Sequence, residues 1–150
     1  MTNGDLARRY LEANARSDLE ALESMRAPDW EHRWPATGEV LRSNAAYREL
    51  RNRYPGGYPS FDPVRVIGSE DRYVVTPANT VVRVAGSGDV WIGEARMRYA
   101  DGSDWYGVKL LELQDGLVRR ETDYWSEVSE PPAWREGLTE RLAHDDAPSP

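Results

Sequence analysis

The spacing of hydrophobic residues changes once along this chain. Up to about residue 54 they recur at helical intervals; from residue 60 onward they alternate with polar ones. Leu6, Tyr10 and Ala13 share one face and predict a helix over 5–16. Leu19, Leu22 and Met25 predict a second helix over about 18–26, with Ser17 and Glu20 at capping-box spacing and Pro28 as its stop. Ser43 is placed to cap a third, roughly 44–54, with Tyr47, Leu50 and Tyr54 on one face and Pro55-Gly56-Gly57 beyond it. Between them DWEHRW, residues 29–34, reads as a short strand. It puts Trp30, His32 and Trp34 on one side and Glu31 and Arg33 on the other.

Five further strands follow: SFDPVRVIGSE, RYVVTPANTVVRVAG, DVWIGEARMRYA, DWYGVKLLEL and LVRRETDYWSEV. Turn signals separate them at Glu70-Asp71, Gly86-Ser87-Gly88-Asp89, Asp101-Gly102-Ser103 and Gln114-Asp115-Gly116. Such short connections imply an antiparallel meander. Helices first and strands second make the class α+β, a long curved sheet wrapped around the N-terminal helices. Asn79, beside Pro77, marks a candidate bulge, and EGLTERLA is helix-like. Residues 1–142 read as one domain, with a Pro-Pro-Ala-Trp extension from 129 and a disordered tail over 143–150. Trp134 in that extension is expected to pack against the sheet, with a place over the pocket mouth or across a partner subunit as the alternatives.

Composition narrows the function. With 39% apolar and 30% charged residues, the 150-residue chain is that of a soluble globular protein. Its net charge of −7 disfavours nucleic acid and anionic membrane as partners. No segment is long and apolar enough to span a bilayer, and MTNGDLARRYLEANARSDLEA has no signal-like apolar run, so a cytoplasmic location is expected. With no cysteine, thiolate chemistry is excluded; with two histidines, one of them His144 in the tail, no zinc spacing is present. No nucleophile elbow or phosphate loop occurs, and neither metal nor cofactor is expected. Six Trp and eight Tyr against one Phe suit either an aromatic core or the wall of a ligand pocket.

The opening RRYLEANARSDLEALESM and the later QDGLVRRETDYW resemble the SnoaL-like branch of the nuclear-transport-factor-2-like superfamily over about residues 5–128. The resemblance implies a cone, or α+β barrel, in which a bent mixed or antiparallel sheet and helices enclose one pocket. It also implies a homodimer through the convex sheet face. The superfamily includes ketosteroid isomerases, polyketide cyclases and limonene-epoxide hydrolases, so fold alone does not name a reaction. Tyr10 matches the isomerase tyrosine that donates to the developing enolate oxygen. The isomerase base, an aspartate before proline, falls on Trp34-Pro35, and Lys109 lies near the place of its partner acid. Asp123 resembles the general acid/base of the cyclases.

If Asp123 faces inward, strict alternation brings Arg119, Glu121 and Trp125 with it and turns Val118, Arg120, Thr122 and Tyr124 away. Arg119 would then hold Glu121 ionised and leave Asp123 to titrate higher. The alternative is a half-exposed strand end whose charges reach water. His32 is either an assisting base near Asp123 or a hydrogen-bonded wall residue. The candidate catalytic set is Asp123, His32, Tyr10 and Glu121; the candidate ligand contacts are Trp30, Trp34, Trp105, Tyr106, Arg119 and Trp125. Gly107 either admits a ligand to the backbone or allows sheet curvature. Two functions stay open: cofactor-free acid/base catalysis of cyclase, isomerase or hydrolase type on an apolar or polyaromatic molecule, or ligand binding or scaffolding without chemistry.

Overall fold

A computed structural model describes residues 1–68, 73–75, 81–83 and 88–141, and the side chains of those outside 60–87. The elements run α1 (Asn3–Ala15), α2 (Leu19–Met25), β1 (Arg26–Trp34), β2 (Glu39–Leu41), α3 (Asn44–Arg53), β3 (Ser60–Gly68), β4 (Tyr73–Val75), β5 (Val81–Arg83), β6 (Val90–Arg98), β7 (Asp104–Gln114) and β8 (Leu117–Glu127). The class is α+β, as expected. The main sheet has the order β2-β1-β8-β7-β6-β3. It is curved but not closed into a barrel, since β2 and β3 remain its edges. The sheet is mixed: β1 runs parallel to β8, and every other pairing is antiparallel. The helix faces follow from sequence, with Leu6, Ala7, Tyr10 and Leu11 of α1 and Leu22 of α2 fully enclosed in the core.

Local chemistry explains most boundaries. Thr2 and Asp5 form a reciprocal capping box that starts α1. The second helix differs from expectation. Ser17 has φ 58° and lies outside it, and Asp18 is the cap, its carboxylate accepting from Ala21 N at 3.0 Å. Ser43 caps α3 as its position predicts. Asp115 and Gly116 both adopt positive φ, the two-residue turn whose twist matches a tight hairpin, and Gln114 pairs with Leu117 across it. The stretch RYVVTPANTVVRVAG is not one strand: its described parts are β4 and β5, paired with each other in a separate two-stranded sheet. The candidate bulge at Asn79 lies outside the described residues, as do His144 and the tail. Within the described part of EGLTERLA there is a turn rather than a helix, after one 3-10 turn at Ala133–Arg135. Trp134 does not pack on the sheet; it is 73% exposed.

One irregularity decides what the last strand presents. Glu112 pairs with Arg120 but Leu113 pairs with Val118, so Arg119 is an extra residue in β8. A bulge of this kind breaks the period-two alternation. Val118 is therefore buried, against expectation, and so is Glu121 three residues later. Beyond the bulge alternation resumes, carrying Asp123 and Trp125 on the inner face.

The cap assignment is testable by urea unfolding. Asp18→Ala should cost about 1 kcal/mol, the usual value for losing an N-cap acceptor. Glu20→Ala, at the partner position of the expected capping box, should stay within about 0.5 kcal/mol of the parent.

Candidate functional site

Three neighbouring strands deliver the charged residues. Lys109 on β7 lies directly across from Asp123 on β8, and Glu121 on β8 lies across from His32 on β1. Lys109 Nζ donates to Glu121 Oε2 at 2.7 Å and to Asp123 Oδ2 at 3.1 Å. It also lies 2.9 Å from Asp123 Oδ1, although no donor is aligned on that oxygen. All three side chains are buried.

Glu121 is the centre of the deeper half. Its Oε1 accepts from Tyr10 Oη, from Trp30 Nε1 at 2.9 Å and from Arg26 at 3.4 Å. Arg26 Nε in turn donates to Tyr10 Oη at 2.6 Å, and its guanidinium lies 3.7 Å from the Trp30 ring centre and 4.2 Å from that of Tyr47. Such stacking suits a buried, weakly hydrated guanidinium. Burial pushes Glu121 up, but Lys109, His32 and Arg26 outweigh it and hold the carboxyl at about 2. Burial and the Glu121 charge push the Tyr10 phenol well above its usual range.

The shallower half opens on a cavity. Asp123 Oδ2 meets His32 Nε2 at 2.8 Å. Burial again opposes ionisation, and Lys109 and His32 again win, so Asp123 sits far below the usual carboxylate range. An ionised Asp123 needs a donor, which places a proton on His32 Nε2; in a neutral imidazole Nδ1 would then carry the lone pair. Nδ1 is buried and has no hydrogen-bond partner among the described residues. A cavity of about 390 Å³ is lined by His32, Lys109 and Asp123, by Trp34, Trp105 and Trp125, and by Tyr47, Tyr54, Tyr58 and Tyr99. Tyr54 stacks on Tyr99 at 6.1 Å and meets Tyr58 edge-on at 5.0 Å. Burial, with Tyr99 and Tyr47 beside it, raises the Tyr54 phenol to about 12, so it is a neutral donor.

The predicted candidates therefore separate. The structure brings His32, Asp123, Trp34, Trp105 and Trp125 to one cavity. Tyr10, Glu121 and Trp30 are fully enclosed, with Tyr10 and Trp30 both donating to Glu121, away from the cavity lining. Tyr10 thus spends its hydroxyl on Glu121 instead of a ligand oxygen. Arg119 sits in the bulge and pairs with Asp29 at 3.2 Å, so it does not hold Glu121. Tyr106 alternates to the outer face and is 39% exposed. The expectation that Asp123 titrates high fails, because the lysine across the strand pair does what Arg119 was expected to do and does it for both carboxylates.

Sequence reasoning left out Arg26, Lys109, Tyr47, Tyr54, Tyr58 and Tyr99 as site residues. Lys109 carried a signal, since it is the chain's only lysine and alternates with apolar residues on an inward face. Tyr47 and Tyr54 share the predicted helix face, but Arg26 at a helix–strand junction carried none. His32, Glu121 and Asp123 bring one ligand atom each to within 4.8 Å of one another, a spacing a metal ion accepts. Lys109 Nζ lies between the two carboxylates and supplies the positive charge a metal would bring, so the cluster fits an ion-pair network and not a metal centre.

Residues 7–121 match the family model of the SnoaL-like domain. Among solved structures, a candidate ketosteroid isomerase from Kribbella flavida is 26% identical, aligning 99% of this chain with 95% of its own at a TM-score of 0.72. An NTF2-like protein of unknown function from Burkholderia xenovorans is 25% identical over 93% of this chain and 94% of that one, with a TM-score of 0.67. A limonene-epoxide-hydrolase-like enzyme of M. tuberculosis, 14% identical over 83% of this chain and 82% of that one, shares the fold at a TM-score of 0.54. No curated protein matches.

Ion pairing at Glu121 gives a signed pH dependence. A carboxyl lowered from 4.5 to about 2 contributes stability that is complete above 4.5 and is lost as pH falls toward 2. Urea midpoints should therefore fall steeply over that window, and Glu121→Gln should flatten the slope. Lys109→Met should cost about 3–5 kcal/mol at pH 7, because it strands two buried carboxylates.

Proposed function

The chain belongs to the SnoaL-like family, and from that premise we propose that it binds a small, largely apolar carbonyl compound and moves a proton on it without a cofactor. The observation that carries this reading is the contact of 2.8 Å between His32 Nε2 and Asp123 Oδ2 at the wall of an aromatic cavity, with Nδ1 buried and without a hydrogen-bond partner among the described residues. A histidine oriented by an ionised carboxylate is a competent general base. His32 is the base and Asp123 its positioning residue. Lys109 keeps Asp123 ionised and so keeps the imidazole in one tautomer.

The Kribbella relative, named as a candidate ketosteroid isomerase, supports proton transfer next to a carbonyl as the reaction type. The carbon-to-carbon shuttle of that enzyme class is not carried over, because Trp34 stands where its base would be. Removal of an α-proton, as an isomerase or cyclase requires, needs only the one base present. The outer sheet face, where Tyr106, Tyr124 and Val40 are exposed, is the surface we assign to a homodimer. A second reading is binding without chemistry, favoured by the complete ionisation of both carboxylates, which removes them as proton donors near neutrality.

Exchange of the α-protons of 2-tetralone in D2O, followed by proton NMR, tests the proposal. The parent should accelerate exchange, and His32→Gln should lose about 100-fold or more of that acceleration, within the usual range for a general base. Asp123→Asn should fall comparably, while binding of 2-tetralone stays within about threefold of the parent, short of the 1.4 kcal/mol that marks a tenfold change. A parent that binds 2-tetralone and leaves its exchange rate at the buffer value would sink the catalytic reading and leave the binding one.

A further inference from the structure

Gly107 on β7 and Trp125 on β8 are a directly opposed cross-strand pair. Their contact is closer than any side chain at 107 would permit. A Cβ built on Gly107 would lie 2.3 Å from Trp125 Cδ2, 2.3 Å from Cε3 and 2.7 Å from Cε2. Those three atoms straddle the ring fusion, so the missing Cβ would point into the face of the indole and not at its edge. Trp125 therefore lies flat on the backbone of β7, and the ring contributes to the cavity lining beside Trp105, Lys109 and Asp123. Gly107 does not have the positive φ that would demand glycine for conformation. What the position requires is the absence of a side chain. The alternatives that the sequence left open, a ligand against the backbone or sheet curvature, give way to a third: the glycine seats a tryptophan.

Resting on the small-molecule reading above, we propose that Gly107 and Trp125 act as one specificity element, a flat indole floor that selects planar fused-ring ligands and sets how thick a molecule the cavity takes. A planar ring system stacks on the indole face with full contact, whereas a puckered ring of the same size touches it through few atoms. Any side chain at 107 lifts the indole off β7 and into the space the ligand uses.

Isothermal titration calorimetry with 2-naphthol and its saturated, puckered counterpart decahydro-2-naphthol tests this. The parent should bind 2-naphthol about tenfold more tightly, the upper range of an aromatic stacking preference. Gly107→Ala should weaken 2-naphthol binding about tenfold while weakening phenol, a single ring, much less, as expected for lost depth and not lost chemistry. Trp125→Leu should bind both bicyclic probes with the planar preference gone, and Gly107→Ala/Trp125→Leu should match it, because the three atoms nearest the added methyl all belong to the indole. Equal affinity of the parent for the two bicyclic probes overturns the proposal and leaves the pocket reading standing. So does a planar preference that survives in Trp125→Leu, a result obtained even if Gly107→Ala fails to fold. A parent that binds none of the three probes removes the small-molecule reading together with this one.

Discussion

Lys109 between Glu121 and Asp123 is the interaction on which the rest of the structure turns. It needs β7 and β8 in register, with Lys109 opposite Asp123, and β1 then brings His32 opposite Glu121 on the same inward face. The buried charges balance, with Arg26 and Lys109 against Glu121 and Asp123 when His32 is neutral. Such a balanced set costs heavily in desolvation, and replacing it with apolar residues would often leave a protein as stable or more so. Its retention is therefore poor evidence of a stability role and better evidence of a fixed geometry. Glu121 ties the hydroxyl of α1, the arginine and indole of β1 and the lysine of β7 to one carboxylate. Asp123 then inherits a rigid position two residues further along β8.

That arrangement divides the inner face of the sheet into a sealed half and an open half. Around Glu121 both carboxylate oxygens accept hydrogen bonds, and the residue does not line the described cavity. Around Asp123 one histidine nitrogen is left without a partner among the described residues, and aromatic rings form much of the remaining wall. The Lys109 ammonium changes what each carboxyl can do. A neutral acid at its place would leave room for a shared proton and a hydrogen-bond donor to a developing oxyanion. An ammonium holds both carboxylates charged, so neither carries a proton near neutrality. The resemblance to the isomerases holds for the fold, while the charge pattern of the site has moved away from theirs at Trp34 and at Lys109.

The helices, the turns and the inward face of β1 were legible because each rests on a local rule: apolar spacing, capping side chains, the Asp115-Gly116 turn. The family was legible from the order of these elements together with two short motifs. The shift from Ser17 to Asp18 as a cap was not, because both residue types can cap, and positive φ at Ser17 arises from the chain path between two packed helices. The larger miss was the face assignment of β8. Alternation carried back from Asp123 puts Arg119 inside, and only the pairing with β7 reveals the extra residue. A bulge is a property of two strands, so one strand's sequence does not announce it. For the same reason Tyr10 and Glu121 could each be marked as candidates, while their mutual bond, which takes both away from a ligand, could not.

The same cross-strand logic explains why the cavity has a firm base. Its charged residues are held by ion pairs and Trp125 by contact, and both depend on the β7–β8 register: Lys109 opposite Asp123, Gly107 opposite Trp125, two residues apart on the same strands. A one-residue slip would expel the lysine from the carboxylates and the indole from the glycine together, since both pairs change face at once. The tight turn at Asp115-Gly116 and the bulge at Arg119 sit at the end of this hairpin and pin that register. Chemistry and shape at the site are thus coupled through one hairpin. A change that loosens it alters the shape of the cavity and the orientation of His32 at the same time, and α3 joins the same network through Tyr47, whose ring meets His32 and Arg26.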